Sequence, residues 1–135
     1  MTLTQLMKYT FPNFADNAKG VYISKVRVGV NRAGQPKIIA TAKTRSQSGS
    51  SHVSGQQHLC SVIALDKRKG FAGNVKVSCD CESFTYYCEW ALHRQGAADI
   101  FYSTGEAADS RNPRGIPSLC KHLYALAKEI RTGGY

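Results

Sequence analysis

Residues 75–81 read VKVSCDC, and this stretch decides how the middle of the chain folds. Apolar or sulfur-bearing side chains alternate with polar ones, which is the period of a β-strand with one buried face. The residues on that face are Val75, Val77, Cys79 and Cys81. The stretch therefore predicts a strand, over 75–81, that carries two cysteines on one side at its end.

Residues 118–135 read SLCKHLYALAKEIRTGGY and predict the last helix. Apolar side chains recur at intervals of three and four, which is the spacing of one face of a helix. These side chains belong to Leu119, Leu123, Leu126, Ala127 and Ile130. Gly133 and Gly134 follow the pattern and predict where the helix stops.

Upstream of residue 75, the chain is rich in β-branched residues and turn signals. Three more strands are predicted, over 21–30, 37–45 and 58–66. A turn over 31–36, a flexible low-complexity segment over 46–57 and a basic turn over 67–74 separate them. Strands that follow one another without helices between them favour an antiparallel meander.

Helical patterns flank the predicted sheet. We expect a short N-terminal helix that begins near residue 3 and ends near Pro12, and a helix over 83–96 with Ser83 as its N-cap. Residues 97–117 predict a loop, with a short strand at 99–103. The predicted fold class is therefore α+β, with an antiparallel β-meander followed by a helical part.

The length of 135 residues and the apolar content of 42% suit one domain. We divide residues 1–135 into an N-terminal extension (1–20), a basic β-hairpin region (21–74) and a C-terminal region (75–132). No stretch has the ~20 apolar residues needed to span a bilayer. The N-terminus also lacks the layout of a secretory signal. We therefore expect no membrane association and a cytoplasmic location.

The net charge of +9 is unevenly distributed along the chain. Residues 1–76 contain 12 basic and 2 acidic side chains, whereas residues 77–135 contain 6 basic and 7 acidic ones. A positive field of this kind attracts polyanions such as nucleic acid or an acidic protein surface. It is equally compatible with a charged surface that only keeps the protein in solution.

Five cysteines occur in the chain, and an odd number without an export signal disfavours a disulfide framework. Reduced thiols can serve as core residues, nucleophiles or metal ligands. Cys60 lies in an apolar strand and Cys88 on the apolar face of a predicted helix, so we expect both in the core. Cys88 or His93 could instead join or replace a metal ligand, whereas we expect His52 and His58 to be solvated.

The remaining cysteines and His122 form two short pairs in the sequence, Cys79 with Cys81 and Cys120 with His122. Cys79 and Cys81 can converge on one ion at the end of a strand. Cys120 sits where the last helix begins, where the helix dipole favours a thiolate, and His122 lies on the first turn. Three thiolates and one imidazole are a closed tetrahedral set for Zn²⁺. The set leaves no position for water, which favours one structural zinc ion.

The segments VSCDCESF and LCKHLYALA resemble the SWIM zinc finger, whose pattern is Cys-x-Cys followed by Cys-x-His. The resemblance covers roughly residues 75–130. It implies a ββα core, a zinc ion held by Cys79, Cys81, Cys120 and His122, and a role in binding DNA or protein. The spacer of 38 residues (82–119) is longer than the common SWIM spacer and carries its own predicted helix.

Within that spacer, FTYYCEWAL, ADIFYSTGE and NPRGIPSLCKHL look similar to small SWIM-type proteins of tailed bacteriophages. Some of those proteins are virion components. The similarity implies, as an alternative function, a structural subunit of a phage particle that zinc makes rigid. The partners would then be other virion subunits, and the location could be the virion.

The basic residues of the predicted hairpins are candidates for binding nucleic acid or a partner. They are Lys25, Arg27, Lys37, Lys43, Arg45, Lys67, Arg68 and Lys69. Cationic strands can follow a phosphate backbone without reading sequence, and Tyr22, Phe71 and Tyr86 could stack on bases. The same cations could also contact an acidic protein or simply protect a sheet edge.

The main prediction is a non-enzymatic zinc-binding module that contacts nucleic acid or a protein through its basic β-rich face. A thiol-dependent enzyme is a third hypothesis, with Cys120 and His122 as the reactive pair. Such an enzyme would need an orienting group and an oxyanion site, and the sequence signals neither.

Overall fold

The computed structural model describes residues 1–44, 57–99, 112 and 114–133. Its four strands are β1 (Val21–Val30), β2 (Pro36–Thr44), β3 (Gln57–Ala64) and β4 (Val75–Cys79). They form one sheet in the order β1-β2-β3-β4, and each neighbouring pair is antiparallel. The meander and the α+β class are therefore confirmed.

Helices precede and follow the sheet. They are α1 (Leu3–Tyr9), α2 (Pro12–Asn17), α3 (Glu89–Arg94) and α4 (Lys121–Gly133). A π-helical turn, Phe84–Cys88, leads into α3, and short 3₁₀ turns occupy Ala18–Gly20 and Gly70–Ala72. None of the helices within the described ranges is long and apolar enough to cross a lipid bilayer.

Several boundaries differ from the predicted ones. The first helix ends at Tyr9, close to Pro12 as expected, but Pro12 then starts a second helix that the sequence does not predict. Ser83 makes no side-chain cap and is already helical in backbone angles. The third and fourth strands end at Ala64 and Cys79, short of the predicted ends. Gln57, the last residue of the predicted low-complexity segment 46–57, begins β3. The rest of that segment, including His52, and most of the predicted strand at 99–103 lie outside the described residues.

The sheet has a buried face and an outer face because its side chains alternate. The buried face carries Ile38, Ala40, Ala42, Cys60, Val62, Val75, Val77 and Cys79. Helix α4 contacts all four strands and adds Leu123, Leu126, Ala127 and Ile130 to the same core. The strands have a period of two and α4 a period of 3.6, so each collects its apolar side chains on one side. These apolar sides of the sheet and of α4 face each other, as the sequence predicts.

The outer face consists of the alternate residues of the strands, which are half-buried or exposed. They are Tyr22, Ser24, Arg27 and Gly29 on β1, Lys37, Ile39, Thr41 and Lys43 on β2, Gln57, Leu59, Ser61 and Ile63 on β3, and Lys76 and Ser78 on β4. A bulge between Ser24 and Arg27 interrupts the edge strand β1, where Lys25 adopts a φ of 51°. Bulges of this kind bend an edge and discourage unwanted strand pairing.

The turns that join β1 to β2 and β3 to β4 lie at the same end of the sheet. Gln35 Nε2 donates a hydrogen bond to the carbonyl of Leu65 and links the two turns. Gly34 has a φ of 76°, and a β-carbon there would lie 3.1 Å from Lys67 Nζ. Cys79, Cys81 and Cys120 meet at the opposite end of the sheet, where β3 begins and β4 ends.

Candidate metal centre

Four side chains from separate parts of the fold converge at the end of β4. One donor atom from each of Cys79, Cys81, Cys120 and His122 lies within 4.8 Å of the other three, and all four residues are buried. Cys79 belongs to the sheet, whereas Cys120 and His122 lie at the start of α4. The structure thus brings together the four residues that the sequence pattern singles out as ligands.

Cys81 reaches the cluster by a different route from the predicted one. The strand ends at Cys79, and the chain bends at Cys81 and enters the helical segment. Cys81 Sγ accepts a hydrogen bond from the backbone N–H of Phe84 at 3.3 Å, and its carbonyl accepts one from Thr85 at 3.2 Å. The strand prediction over 75–81 is therefore wrong at its last residues, because Cys81 caps a helical turn instead.

Cys120 holds the equivalent position at the start of α4. Its Sγ accepts a hydrogen bond from the N–H of Leu123 at 3.5 Å, and its carbonyl accepts one from Tyr124 at 2.9 Å. Two cysteine sulfurs therefore accept N–H groups that a helix leaves unpaired at its start. The partial positive charge of a helix N-terminus stabilises a thiolate, so both positions favour the ligand form of cysteine.

His122 closes the cluster with its imidazole ring. Its Nδ1 lies 3.9 Å from Cys79 Sγ, and its Nε2 is buried without a hydrogen-bond partner. An unpaired buried polar atom costs free energy, of the order of 1–3 kcal/mol. The neutral ring offers one nitrogen lone pair, on the nitrogen that carries no proton, and a bound cation would take up that lone pair.

His58 lies against the ring of His122 and is itself paired with Asp80. The rings of His58 and His122 lie with their centroids 4.5 Å apart and are tilted by 43°. Asp80 Oδ1 lies 2.9 Å from His58 Nδ1 and also accepts the N–H of Leu59 at 3.1 Å. The expectation that His58 is solvated is wrong, because its side chain is only 15% exposed and its ring lies against that of His122.

Burial and their mutual contacts change the pKa values of the three cysteines in opposite directions. Hydrogen bonds from Cys120 and Cys79, opposed by burial, hold the pKa of Cys81 far below its usual range. Burial, followed by the contacts with Cys79 and Cys81, raises the pKa of Cys120 well above its usual value. The hydrogen bond to Cys120 lowers the pKa of Cys79. Contacts with Cys60 and Cys81, together with burial, raise this pKa by more, so the net change is upward.

These observations fit a divalent metal ion and suit zinc. Around a zinc ion at about 2.3 Å from sulfur, neighbouring tetrahedral sulfurs lie about 3.8 Å apart. The donor atoms lie within 4.8 Å of one another, so a contraction of less than about 1 Å closes the shell. The soft sulfur donors and the imidazole match zinc better than calcium or magnesium, which prefer oxygen.

Two other candidate ligands do not belong to this group. Cys88 is buried in the core, where burial raises the pKa of its thiol well above the usual value. His93 Nδ1 lies 3.2 Å from the carbonyl of Ala98. Cys60, expected only as a core residue, is indeed buried, but its Sγ lies 3.5 Å from Cys79 Sγ.

The sequence does not predict that Cys60 and His58 contact the cluster, or that Asp80 contacts His58. Asp80 stands between two ligands in the sequence, which is a visible signal. Cys60 and His58 lie on β3, and only the register between β3 and β4 places Cys60 opposite Cys79. The turn that follows Ala64 sets this register, and the sequence alone does not show which residues pair at the two ends of that turn.

The predicted basic residues fall into two groups. Arg27, Lys37 and Lys43 lie on the outer face, and Lys25 lies at the bulge of β1. Lys67, Arg68 and Lys69 are exposed in the turn between β3 and β4, at the far end of the sheet from the cysteines. Arg45 lies outside the described residues.

Comparison with protein-family models, curated proteins and solved structures finds no match.

We expect the purified chain to bind one zinc ion. Cys79→Ser and His122→Ala each remove a ligand and should lower zinc affinity more than about 100-fold, beyond the loss that outer-shell changes cause. Cys88→Ala is the matched control, because this thiol is buried but outside the cluster. Elemental analysis and competition with a chromophoric chelator measure the result, and equal zinc content in all three variants would contradict it.

Zinc binding should release protons. The pKa values of Cys79 and Cys120 are raised above the usual value for a thiol, whereas that of Cys81 is lowered, so an ion that binds thiolates must displace protons from Cys79 and Cys120. We expect about two protons per zinc ion, and an affinity that rises with pH. Titration calorimetry in buffers of different ionisation enthalpy counts these protons, and a count of zero would contradict the assignment.

Proposed function

We propose that this chain is a non-enzymatic, SWIM-type zinc-binding module that binds nucleic acid through the outer face of its sheet. The zinc part is supported by the buried group of three cysteines and one histidine. The binding part rests on one observation. The strand positions of the outer face carry Arg27, Lys37, Lys43 and Lys76 and no carboxylate.

The cations of the outer face are spaced by the sheet. Lys37 lies beside Ile63, which in turn lies beside Lys76, so the two lysines are two strands apart. Neighbouring strands are ≈ 4.7–4.9 Å apart, which puts the two lysine backbones about 10 Å apart. Lys76 Nζ is 3.0 Å from Asp99 Oδ1, so its charge is partly neutralised. Arg27, Lys37 and Lys43 are therefore the main phosphate contacts that we propose.

Polar and aromatic side chains lie between these cations. Arg27 and Ile39 form one row with Ser61 and Ser78, whose hydroxyls can donate to phosphate oxygens. Tyr22 pairs with Lys43 across the strands and is 55% exposed, so its ring is available to a base. Because bases stack on exposed aromatic rings only when they are unpaired, this face favours single-stranded nucleic acid.

The other two predicted stacking residues lie elsewhere. Phe71 belongs to the 3₁₀ turn Gly70–Ala72 and packs against the core. Tyr86 belongs to the π-helical turn Phe84–Cys88. The proposal therefore includes Tyr22 alone as a stacking residue.

The metal centre and the outer face have separate tasks in this proposal. Cys79 ends β4 on the buried face, while Ser78 and Lys76 of the same strand point outward. Tying Cys79 to Cys120 and His122 fixes β4 against α4, and the sheet becomes a rigid support for the cations. Because a closed ligand set offers no position to a substrate, the ion has no proposed catalytic role.

Oligonucleotide binding tests the proposal. Fluorescence anisotropy with labelled single-stranded DNA, single-stranded RNA and duplex DNA should show binding at 50 mM salt that weakens steeply toward 200 mM. The triple variant Arg27→Gln, Lys37→Gln, Lys43→Gln should lower affinity at least about tenfold and reduce the salt slope by about 2 for single strands.

A control variant separates position from total charge. Lys8→Gln, Lys128→Gln, Arg131→Gln removes the same three charges from exposed positions on α1 and α4. It should retain most of the binding. Equal losses in both variants, or no binding of any oligonucleotide at 50 mM salt, would contradict the proposal. The second result would favour an acidic protein surface or a virion subunit as the partner.

A further inference from the structure

A thiol outside the ligand set touches one of the ligands. Cys60 lies on β3 directly opposite Cys79 on β4, and their Sγ atoms are 3.5 Å apart. Both residues are fully buried. Cys60 is not a member of the group whose donor atoms converge, so its thiol remains available when the other three are bound to an ion.

We propose that Cys60 and Cys79 form an oxidisable pair that a peroxide converts to a disulfide. Formation of this disulfide removes Cys79 from the metal centre. The pair makes the centre a site of reversible thiol modification. The effect on metal binding rests on the proposed zinc function, whereas formation of the disulfide does not.

The backbone suits this bond. Directly opposed residues of an antiparallel pair have their α-carbons ≈ 4.5–5.5 Å apart, and disulfides form at α-carbon distances of 4.4–6.8 Å. The two sulfurs already touch, so the bond requires them to approach by about 1.5 Å, to the usual length near 2.05 Å. Cys81 is a less suitable partner for Cys79, because it follows a bend and its Sγ accepts the N–H of Phe84.

The reaction balances with a hydroperoxide as the oxidant. The Cys60 thiol, which is not a ligand, attacks the O–O bond, so that a sulfenic acid forms on Cys60 and the departing alkoxide or hydroxide takes up the Cys60 proton. The Cys79 sulfur then attacks the sulfenic sulfur and displaces its hydroxyl group, which takes up a proton from the solvent and leaves as water. The two thiols lose two electrons in total, and the peroxide gains them.

The outcome for the metal centre follows from the number of ligands. With Cys79 in a disulfide, only Cys81, Cys120 and His122 remain, and they all belong to the helical part of the fold. The sheet is then no longer tied to α4 through the ion. A thiol reductant restores Cys60 and Cys79 and allows zinc to bind again.

The experiment treats the zinc-loaded full chain with hydrogen peroxide. Zinc release is followed with a chromophoric chelator, and the oxidised chain is digested without reduction for mass spectrometry. We expect a peptide pair that joins Cys60 to Cys79, and zinc release at least about tenfold slower in Cys60→Ala and Cys60→Ser than in the unaltered chain. Cys88→Ala, which removes another buried thiol, should release zinc at the unaltered rate.

Two results would overturn the proposal. One is a disulfide that joins two ligands, such as Cys81 to Cys120, in place of Cys60 to Cys79. The other is unchanged zinc release in the Cys60 variants. Zinc content before oxidation tests the metal centre alone, and the disulfide map of the unaltered chain tests the thiol pair even if a Cys60 variant fails to fold.

Discussion

The convergence of three sulfurs and one imidazole at the end of β4 is the constraint on which the rest of this structure depends. It joins residues of the sheet to residues at the start of α4, more than 40 positions away in the sequence. Without a cation, the cluster buries two thiols, those of Cys79 and Cys120, whose pKa values are raised. It also buries the Nε2 atom of His122, which has no hydrogen-bond partner among the described residues. Buried groups of this kind are costly unless they are neutralised together.

The local folding of the chain around the cluster follows from the same chemistry. Cys81 and Cys120 each occupy the start of a helical segment, where their sulfurs accept backbone N–H groups. The two segments therefore direct their positive ends toward the place where negative sulfur accumulates. His58, paired with Asp80, lies against the ring of His122. Cys79 of the cluster lies on the buried face of the sheet, opposite the outer face.

Much of this arrangement was predictable because it depends on local periodicity. The alternation in 75–79 places Val75, Val77 and Cys79 on one face, and the helical spacing places the apolar residues of α4 toward the sheet. The choice of Cys79, Cys81, Cys120 and His122 followed from their spacing, although Cys81 arrives through a bend. What the sequence did not predict depends on register and on non-local packing. The contacts of Cys60 with Cys79 and of His58 with His122, and the bulge at Lys25, exist only once strands are aligned.

X-ray absorption spectroscopy at the zinc edge, on the protein purified with its metal, tests the central claim most directly. The proposed ligand set predicts a first shell of three sulfurs at ~2.3 Å and one nitrogen at ~2.0–2.1 Å, with the multiple-scattering signature of an imidazole. A shell of oxygen or nitrogen alone, or one with fewer than three sulfurs, would contradict it.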